Sequence, residues 1–249
     1  MELVKNMERA IDNWQKHDYN ASLNFATLAI EATARRYYNK SHITRTEYIN
    51  LIRKYYWVIE IFMGFPADTA YRFYSQIHIP DERGKDIGGR FGPDLADIIY
   101  HVFRCCIHHG CDLPIKYKLV PTSGVSSVSI IGQDPQNDVL LLPTTVIIGI
   151  LAICLVCSAN YGLGWDSTYY LTLDTSVCLS SQSHCINDEL IFNQLVCRGA
   201  VLKFDFCKYF GREDEIKNIL SSVPRQPATS EKIQIPGGTY KMSYDIKYL

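Results

Sequence analysis

Hydrophobic positions in the first 110 residues recur with the spacing of α-helices. Residues 20–38 place small and apolar side chains three or four positions apart, contain many alanines, and lack glycine and proline. Thr44 and Glu47 have the spacing of a capping box, and the apolar positions of residues 48–62 then follow a period of 3.6. Gly64, two positions before a proline, is expected to end this second helix.

A further helix is predicted after a loop at 78–93 that is rich in glycine and proline. Asp94 is placed to begin it, and Gly110 is expected to end it. Its apolar side chains recur at helical spacing and would form one hydrophobic face. These side chains are Leu95, Ile98, Ile99, Val102 and Phe103.

The pattern changes after residue 116. Two short apolar runs, 125–131 and 139–142, flank the turn-forming sequence GQDPQND. This arrangement predicts a β-hairpin inserted at about 117–142. An apolar helix is predicted to follow, from about Thr144 to Asn160.

The C-terminal part combines a predicted strand with additional helices. We predict a strand at 169–177 and helices at 187–199 and 208–221. Residues 222–249 contain the prolines, serines and glycines typical of a loosely packed tail. The sequence therefore predicts a mainly α protein with a single helical domain over residues 1–221.

One segment raises the question of a membrane. Residues 146–157 are continuously apolar apart from Gly149, and no charge occurs between 139 and 165. A membrane span needs about 20 apolar residues, and this run is shorter. A helix that is apolar all round lies either in a membrane or in a protein core, and the length favours a core helix.

Composition places the chain among globular proteins. Of its 249 residues, 47% are hydrophobic and 20% are charged, which excludes extensive disorder. The formal net charge is −1, so no global positive field attracts nucleic acid. Binding to RNA would therefore require a local basic surface.

Cysteine usage and the N-terminus favour a cytoplasmic location. The nine cysteines are an odd number, none occurs in the first hundred residues, and the charged N-terminal sequence lacks a signal-peptide core. We therefore expect reduced, mostly buried thiols. Cys154 and Cys157 form a C-x-x-C sequence within the apolar helix, where a core position is favoured over a zinc site.

The densest polar cluster lies at the end of the helix that begins at Asp94. It contains three of the chain's seven histidines, together with one arginine and three cysteines. The members are His101, Arg104, Cys105, Cys106, His108, His109 and Cys111. An arginine and a histidine could act on a phosphodiester, because arginine binds phosphate oxygens and histidine transfers protons near neutrality. The Cys/His set could instead bind zinc, although its spacing is not that of a zinc finger. Thirdly, the histidines could be structural, since the helix dipole favours them at a C-terminus.

Helical geometry separates the two candidate histidines. His101, Arg104 and His108 share one face of an ideal helix. His109 lies about 140° from Arg104 on such a helix and joins that face only if the helix loosens near Gly110.

A basic and aromatic segment precedes this cluster. Between residues 35 and 57, six basic side chains and Glu47 give a local charge of +5, interleaved with tyrosines and a tryptophan. This pattern suits single-stranded RNA, through phosphate pairing and base stacking, or it is an ordinary solvated surface over a tyrosine-rich core. The glycine-rich loop 83–92 could add a phosphate contact or could be only a connector. The candidate RNA-binding residues are Arg35, Arg36, Lys40, Arg53, Lys54 and Arg90.

Two segments resemble HEPN-type ribonucleases. DIIYHVFRCCIHHG, residues 97–110, is similar to the last core helix of that family, whose mark is an arginine followed four to six residues later by a histidine. Arg104 and His109, with four residues between them, match this mark. SLNFATLAIEATARRYY, residues 22–38, resembles the family's first helix, in which small apolar residues surround an acidic one, here Glu31. The resemblance extends over residues 15 to about 116.

The resemblance implies an antiparallel helical bundle that cleaves RNA without metal or any other cofactor. Arg104 and His109 would be catalytic, with His108 as a competing candidate for the histidine role. Family members usually form homodimers and often act as toxins or in phage defence, which implies an antitoxin or regulatory partner. No membrane association is expected.

The residue after the arginine departs from the family pattern. Many active members have Asn, Asp or His there, whereas this chain has Cys105. The alternative prediction is therefore a catalytically silent HEPN-like module that binds RNA or a regulatory protein, and a purely structural helical protein is the third.

Overall fold

The computed structural model describes twelve stretches of the chain, and over them the protein is mainly helical, as predicted. They are residues 2–63, 87, 93–105, 116–120, 132–134, 139–164, 170–174, 183–186, 189–193, 201–221, 232–235 and 238–241. His108, His109, Arg90 and most of the loops predicted at 78–93 and 83–92 lie outside these residues.

Two long helices, α1 (Glu2–Gln15) and α2 (Tyr19–Tyr38), pack along one another. Asp18 caps α2, since its side chain accepts a hydrogen bond from the backbone N–H of Ala21 at 3.1 Å. Asn39 ends α2 in the left-handed conformation, with φ of 53°. The helix predicted over 20–38 is thus confirmed.

The predicted capping box opens the next helix, α3 (Arg45–Lys54). The Thr44 hydroxyl accepts from the Glu47 N–H at 3.3 Å, and the Glu47 carboxylate accepts from the Thr44 N–H at 2.8 Å. The helical segment continues as α4 (Tyr56–Met63), with an interruption at Tyr55 that the 3.6-residue periodicity did not predict.

A second capping box, formed by Asp94 and Asp97, begins α5 (Leu95–Ile98). From Ile99 to Cys105 the same segment widens into a π-helix. The segment packs against α2 and α3, and this packing buries its predicted apolar face.

The apolar segment forms α6 (Thr145–Val156), followed by a short 3₁₀-helix (Ser158–Asn160). All residues of α6 are buried, and α6 packs against α2 and α4, as predicted for a core helix. At Gly149, an added Cβ would lie 3.1 Å from Cγ2 of Ile59, so glycine permits a close approach of α4. Among the described residues, no helix combines the length and apolar character needed to cross a membrane.

Three strands lie in and around the predicted insertion: β1 (Lys116–Val120), β2 (Gly132–Asp134) and β3 (Val139–Pro143). The central strand β3 pairs antiparallel with β2 and parallel with β1. Residues predicted as the turn thus contribute β2, while the strand predicted at 125–131 lies outside the described residues. The parallel partner β1 was not predicted.

A second sheet has the strand order β5-β6-β4-β7. Its strands are β4 (Tyr170–Asp174), β5 (Ser183–Ile186), β6 (Glu189–Asn193) and β7 (Val201–Asp205). The strand predicted at 169–177 corresponds to β4, but the helix predicted at 187–199 is wrong over Glu189–Asn193, the part that the structure describes. Residues 190–192 are a short apolar run, which fits a central strand as well as a helix, and β6 lies between β4 and β5.

Helices α7 (Phe206–Tyr209) and α8 (Glu213–Ser221) occupy the segment predicted as helical at 208–221. The predicted tail contains a two-stranded antiparallel sheet, β8 (Lys232–Ile235) and β9 (Gly238–Lys241).

Candidate functional site

Arg104 lies in the π-helical turns that follow α5. A π-helix makes i→i+5 hydrogen bonds, so its faces differ from those of an α-helix with 3.6 residues per turn. The angle of 140° between Arg104 and His109 stays a prediction, because His109 lies outside the described residues. Short π-helical turns within α-helices occur frequently at functional sites.

The Arg104 side chain crosses to α2 and binds Glu31. Its Nε and Nη2 atoms both lie 3.2 Å from Oε2 of Glu31. The other carboxylate oxygen, Oε1, accepts a hydrogen bond from Nη2 of Arg35 at 2.6 Å. Each oxygen of Glu31 is therefore occupied by a different arginine. We call Glu31, Arg35 and Arg104 the arginine–carboxylate cluster.

The cluster is partly shielded from water and carries a positive charge. Side-chain exposure is 13% for Glu31, 18% for Arg104 and 35% for Arg35. Burial raises the pKa of Glu31, but hydrogen bonds and charges from Arg35 and Arg104 outweigh it and hold the pKa below its ordinary value. Burial lowers the pKa of Arg104, but Glu31, Tyr100 and Cys105 together outweigh burial and hold the pKa above its ordinary value. With all three groups ionised, two cations and one anion leave a net charge of +1.

Aromatic and sulfur groups surround the Arg104 side chain. Its Cζ lies 5.4 Å from the centre of the Tyr100 ring, a cation–π contact. Tyr100 is also in edge-to-face contact with Tyr48 and His101, with ring centres 5.4 and 5.0 Å apart. The partly buried thiol of Cys105 interacts with the side chains of Tyr100 and Arg104. Cys105 thus supplies a weak hydrogen-bonding group at the position of the expected polar residue.

Three of the predicted RNA-binding residues have carboxylate partners. Arg35 binds Glu31, Lys40 pairs with Glu47, and Arg53 bridges two aspartates. In the last case, Arg53 Nε lies 2.7 Å from Asp94 Oδ2, and Nη2 lies 2.9 Å from Asp97 Oδ2. Glu47 is already counted in the local charge of +5. The other three acids, Glu31, Asp94 and Asp97, lie outside residues 35–57 and offset much of that charge.

The two other described candidates, Arg36 and Lys54, make different contacts. Arg36 Nε donates to the carbonyl oxygen of Ala159 at 3.0 Å. Lys54 Nζ donates to the Tyr37 hydroxyl at 2.8 Å and lies 4.5 Å from the centre of that ring. Because these contacts are not with carboxylates, the positive charges of Arg36 and Lys54 are better placed to attract a phosphate than those of the three paired residues.

The C-x-x-C cysteines lie in the core. Cys154 and Cys157 are fully buried, and burial raises the pKa of Cys154 to about 12. This thiol stays protonated at neutral pH and is a poor metal ligand or nucleophile. Among the residues that the structure describes, no group of three or more His, Cys, Asp or Glu side chains could hold a metal ion.

Sequence reasoning missed the contact between Glu31 and Arg104. It recognised Glu31 and Arg35 only as an i,i+4 pair, which the structure confirms. The contact could have been suspected from the sequence, because Glu31 and Arg104 are charged residues of the two segments that resemble the same family.

A family model named Rv1289 matches residues 2–235, so the chain belongs to the Rv1289 family. No curated protein and no solved structure matches the chain.

Proposed function

We propose that this member of the Rv1289 family is a metal-independent endoribonuclease with a HEPN-like antiparallel bundle. The observation that supports this proposal best is the contact between Glu31 and Arg104, with 3.2 Å between Oε2 and Nη2. The two segments that resemble HEPN ribonucleases are far apart in the sequence, and their charged residues meet in the fold. Similarity limited to local helix composition would not require this meeting.

In the proposed reaction, the ribose 2′-OH attacks the adjacent phosphate of the RNA. The P–O5′ bond breaks, and the products are a 2′,3′-cyclic phosphate and a 5′-OH. His109 transfers a proton as general base or acid, and Arg104 stabilises the charge of the phosphorane. Glu31 binds the Nε side of the Arg104 guanidinium, so the opposite edge, which includes Nη1, is the edge that would bind the phosphate.

The proposal includes a homodimer in which two copies of the Arg104 helix line one cleft around a two-fold axis. It also includes a cytoplasmic role in toxin or phage-defence systems, controlled by an antitoxin or regulatory protein. Arg36 and Lys54 are the described residues best suited to contact the RNA backbone, because the contacts described above for them are not with carboxylates. Sedimentation at micromolar concentration tests the dimer: an active monomer would contradict it.

The decisive experiment measures cleavage of total RNA and of a labelled single-stranded oligonucleotide in EDTA. Arg104→Ala and His109→Ala are each expected to lower the rate by about 10²–10⁴-fold, since each removes a group that acts in the transition state. His108→Ala is expected to cost less. The exposed acid Asp214 on α8 offers a control, Asp214→Asn, that should cleave at the wild-type rate.

Each outcome has a defined meaning once circular dichroism shows that the variants fold. A requirement for a divalent metal would contradict the mechanism. Normal cleavage by His109→Ala, together with loss of cleavage in His108→Ala, would reverse the histidine assignment.

The second candidate function is a catalytically silent HEPN-like module that binds RNA or a regulatory protein. It is favoured by Cys105 at the position of the expected polar residue. RNA binding by the wild type without cleavage would support it. An electrophoretic mobility shift on the same oligonucleotide separates this outcome from a complete absence of binding.

A further inference from the structure

The arrangement of the arginine–carboxylate cluster distinguishes two roles for Glu31. A carboxylate bound to a phosphate-binding arginine either orients that arginine or occupies the place of the phosphate until it is displaced. The two roles predict opposite effects of removing the carboxylate. The contacts of Glu31 decide which role is favoured.

Glu31 is held in place independently of Arg104. It lies in the middle of α2, where the neighbouring residues Ile30 and Ala32 are buried, and Arg35 binds it from the next turn at 2.6 Å. A carboxylate fixed in this way does not leave easily when a phosphate arrives. The same contact leaves the Nη1 edge of Arg104 pointing away from Glu31. Orientation is therefore favoured over substrate mimicry.

Arg35 has a separate electrostatic effect. Glu31 and Arg104 alone would be neutral together, and a neutral pair attracts phosphate weakly. Arg35 adds a second positive charge on the opposite oxygen of Glu31, which restores the net charge to +1. Within the described part of the chain, Arg35 also lies 3.6 Å from Glu2, but Glu2 is 67% exposed, so solvent screens its effect.

We propose that Glu31 and Arg35 are positioning residues for Arg104: Glu31 fixes the guanidinium, and Arg35 offsets the charge of Glu31 so that the cluster still attracts phosphate. This proposal rests on the proposed ribonuclease function for its kinetic consequences. The orientation of Arg104 by Glu31 is a property of the protein without RNA and is tested separately.

The kinetic experiment compares kcat and KM for the labelled oligonucleotide in EDTA. Glu31→Gln keeps the shape of the side chain but loses its charge, so Arg104 is less well fixed while the cluster becomes more positive. A displacement of a reacting group by ~1 Å costs about 10²-fold in rate, so kcat should fall about 10- to 10²-fold while KM stays unchanged or falls.

Arg35→Gln should have the opposite signature. The net charge of the cluster falls to zero, so KM should rise, its dependence on salt should weaken, and kcat should change little. Arg35→Lys restores the charge and should restore KM. The control is Lys16→Gln, which removes an exposed positive charge far from the cluster. Lys16 follows the C-terminal end of α1, whereas Glu2, which contacts Arg35, begins α1, about 20 Å away along the helix.

The structural experiment uses NMR of the full chain with ¹⁵N-labelled arginine. The Nε–H resonance of Arg104 is identified by its loss in Arg104→Lys. In the wild type, the bond to Glu31 should slow its exchange with water, and Glu31→Gln should shift the resonance and speed the exchange. Asp214→Asn should leave it unchanged.

The outcomes separate this proposal from the ribonuclease proposal. An Arg104 resonance that is insensitive to Glu31→Gln overturns the positioning role, whether or not the protein cleaves RNA. A faster kcat in Glu31→Gln also overturns it and supports substrate mimicry. If the wild type is inert on RNA but the Arg104 resonance responds to Glu31→Gln, the positioning of Arg104 stands and the ribonuclease function fails. Because Arg35 is more exposed than Glu31, its variants provide the kinetic test if Glu31→Gln does not fold.

Discussion

Replacing Gly211 with alanine should destabilise the protein more than the same change at Gly162 or Gly164, and the structure explains why. Gly211 lies between α7 and α8 with φ of +74°, in the left-handed region. Its N–H donates to the carbonyl oxygen of Leu155, at the end of α6, at 2.7 Å. A Cβ at this position would lie 2.2 Å from the backbone nitrogen of Tyr161 and 2.5 Å from its Cα.

Two costs add in this variant. Left-handed backbone costs a residue with a Cβ about 1–2 kcal/mol. Atoms 2.2 Å apart cannot coexist, and because the atoms of Tyr161 belong to the backbone, the chain itself must move. Overpacking of this kind typically costs ~1–3 kcal/mol, and a shift would also weaken the bond to Leu155. We therefore expect Gly211→Ala to lower the free energy of unfolding by about 2–5 kcal/mol.

The two other glycines separate these costs. Gly162 has φ of +80° but no atom within 4 Å of an added Cβ, so Gly162→Ala should cost only about 1–2 kcal/mol. Gly164 has neither a positive φ nor a close neighbour, and Gly164→Ala should stay within about 0.5 kcal/mol of the wild type. Urea denaturation monitored by circular dichroism measures all three. Equal losses for Gly211→Ala and Gly162→Ala would refute the close packing of Gly211 against Tyr161.

The helical part of the fold was predictable because its signals are local. The capping box at Thr44 and Glu47 is complete within four residues, and the periodicity of α2 lies within its own sequence. The segment that became α6 was predicted as a core helix from its length and uniform apolar character. Each of these patterns determines its structure without reference to a distant segment.

The strands were predicted less well because their partners are distant in the sequence. A short apolar run such as residues 190–192 does not distinguish a helix from a strand, and β6 is stabilised by pairing with β4, almost twenty residues earlier. The parallel pairing of β1 with β3 also had no local signal. Tertiary pairing decided these elements.

The candidate site shows the same limit for electrostatics. Counting charges along residues 35–57 gave +5, but Arg53 is bound by Asp94 and Asp97, and Arg35 by Glu31. The sequence pattern singled out Arg104 as a residue with possible chemistry, yet it did not identify its partner Glu31, which is 73 positions away. Charge counted along a sequence therefore overestimates the charge that a folded surface presents to a ligand.

Three further predictions concern the stability of the helical bundle, each measured by urea denaturation. Asp94→Ala removes both the cap of α5 and the ion pair with Arg53 and should cost about 2 kcal/mol, whereas Asp94→Asn keeps a capping side chain and should cost less. Tyr55→Phe removes a buried hydroxyl that donates to Glu213 at 2.6 Å, and the loss of this charge-assisted bond should cost about 1.5–3 kcal/mol. Glu213 should also make the free energy of unfolding depend on pH in the acidic range. Burial raises its pKa, but hydrogen bonds and nearby cations outweigh burial and hold the pKa below the ordinary 4.5. The charged form therefore stabilises the fold fully above pH 4.5, and this contribution is lost as the pH falls through the lower folded-state pKa. The free energy of unfolding should thus fall less between pH 5 and pH 3 in Glu213→Gln than in the wild type, while the exposed-site control Asp214→Asn should follow the wild type. Parallel curves for Glu213→Gln and the wild type would show that Glu213 does not have this role.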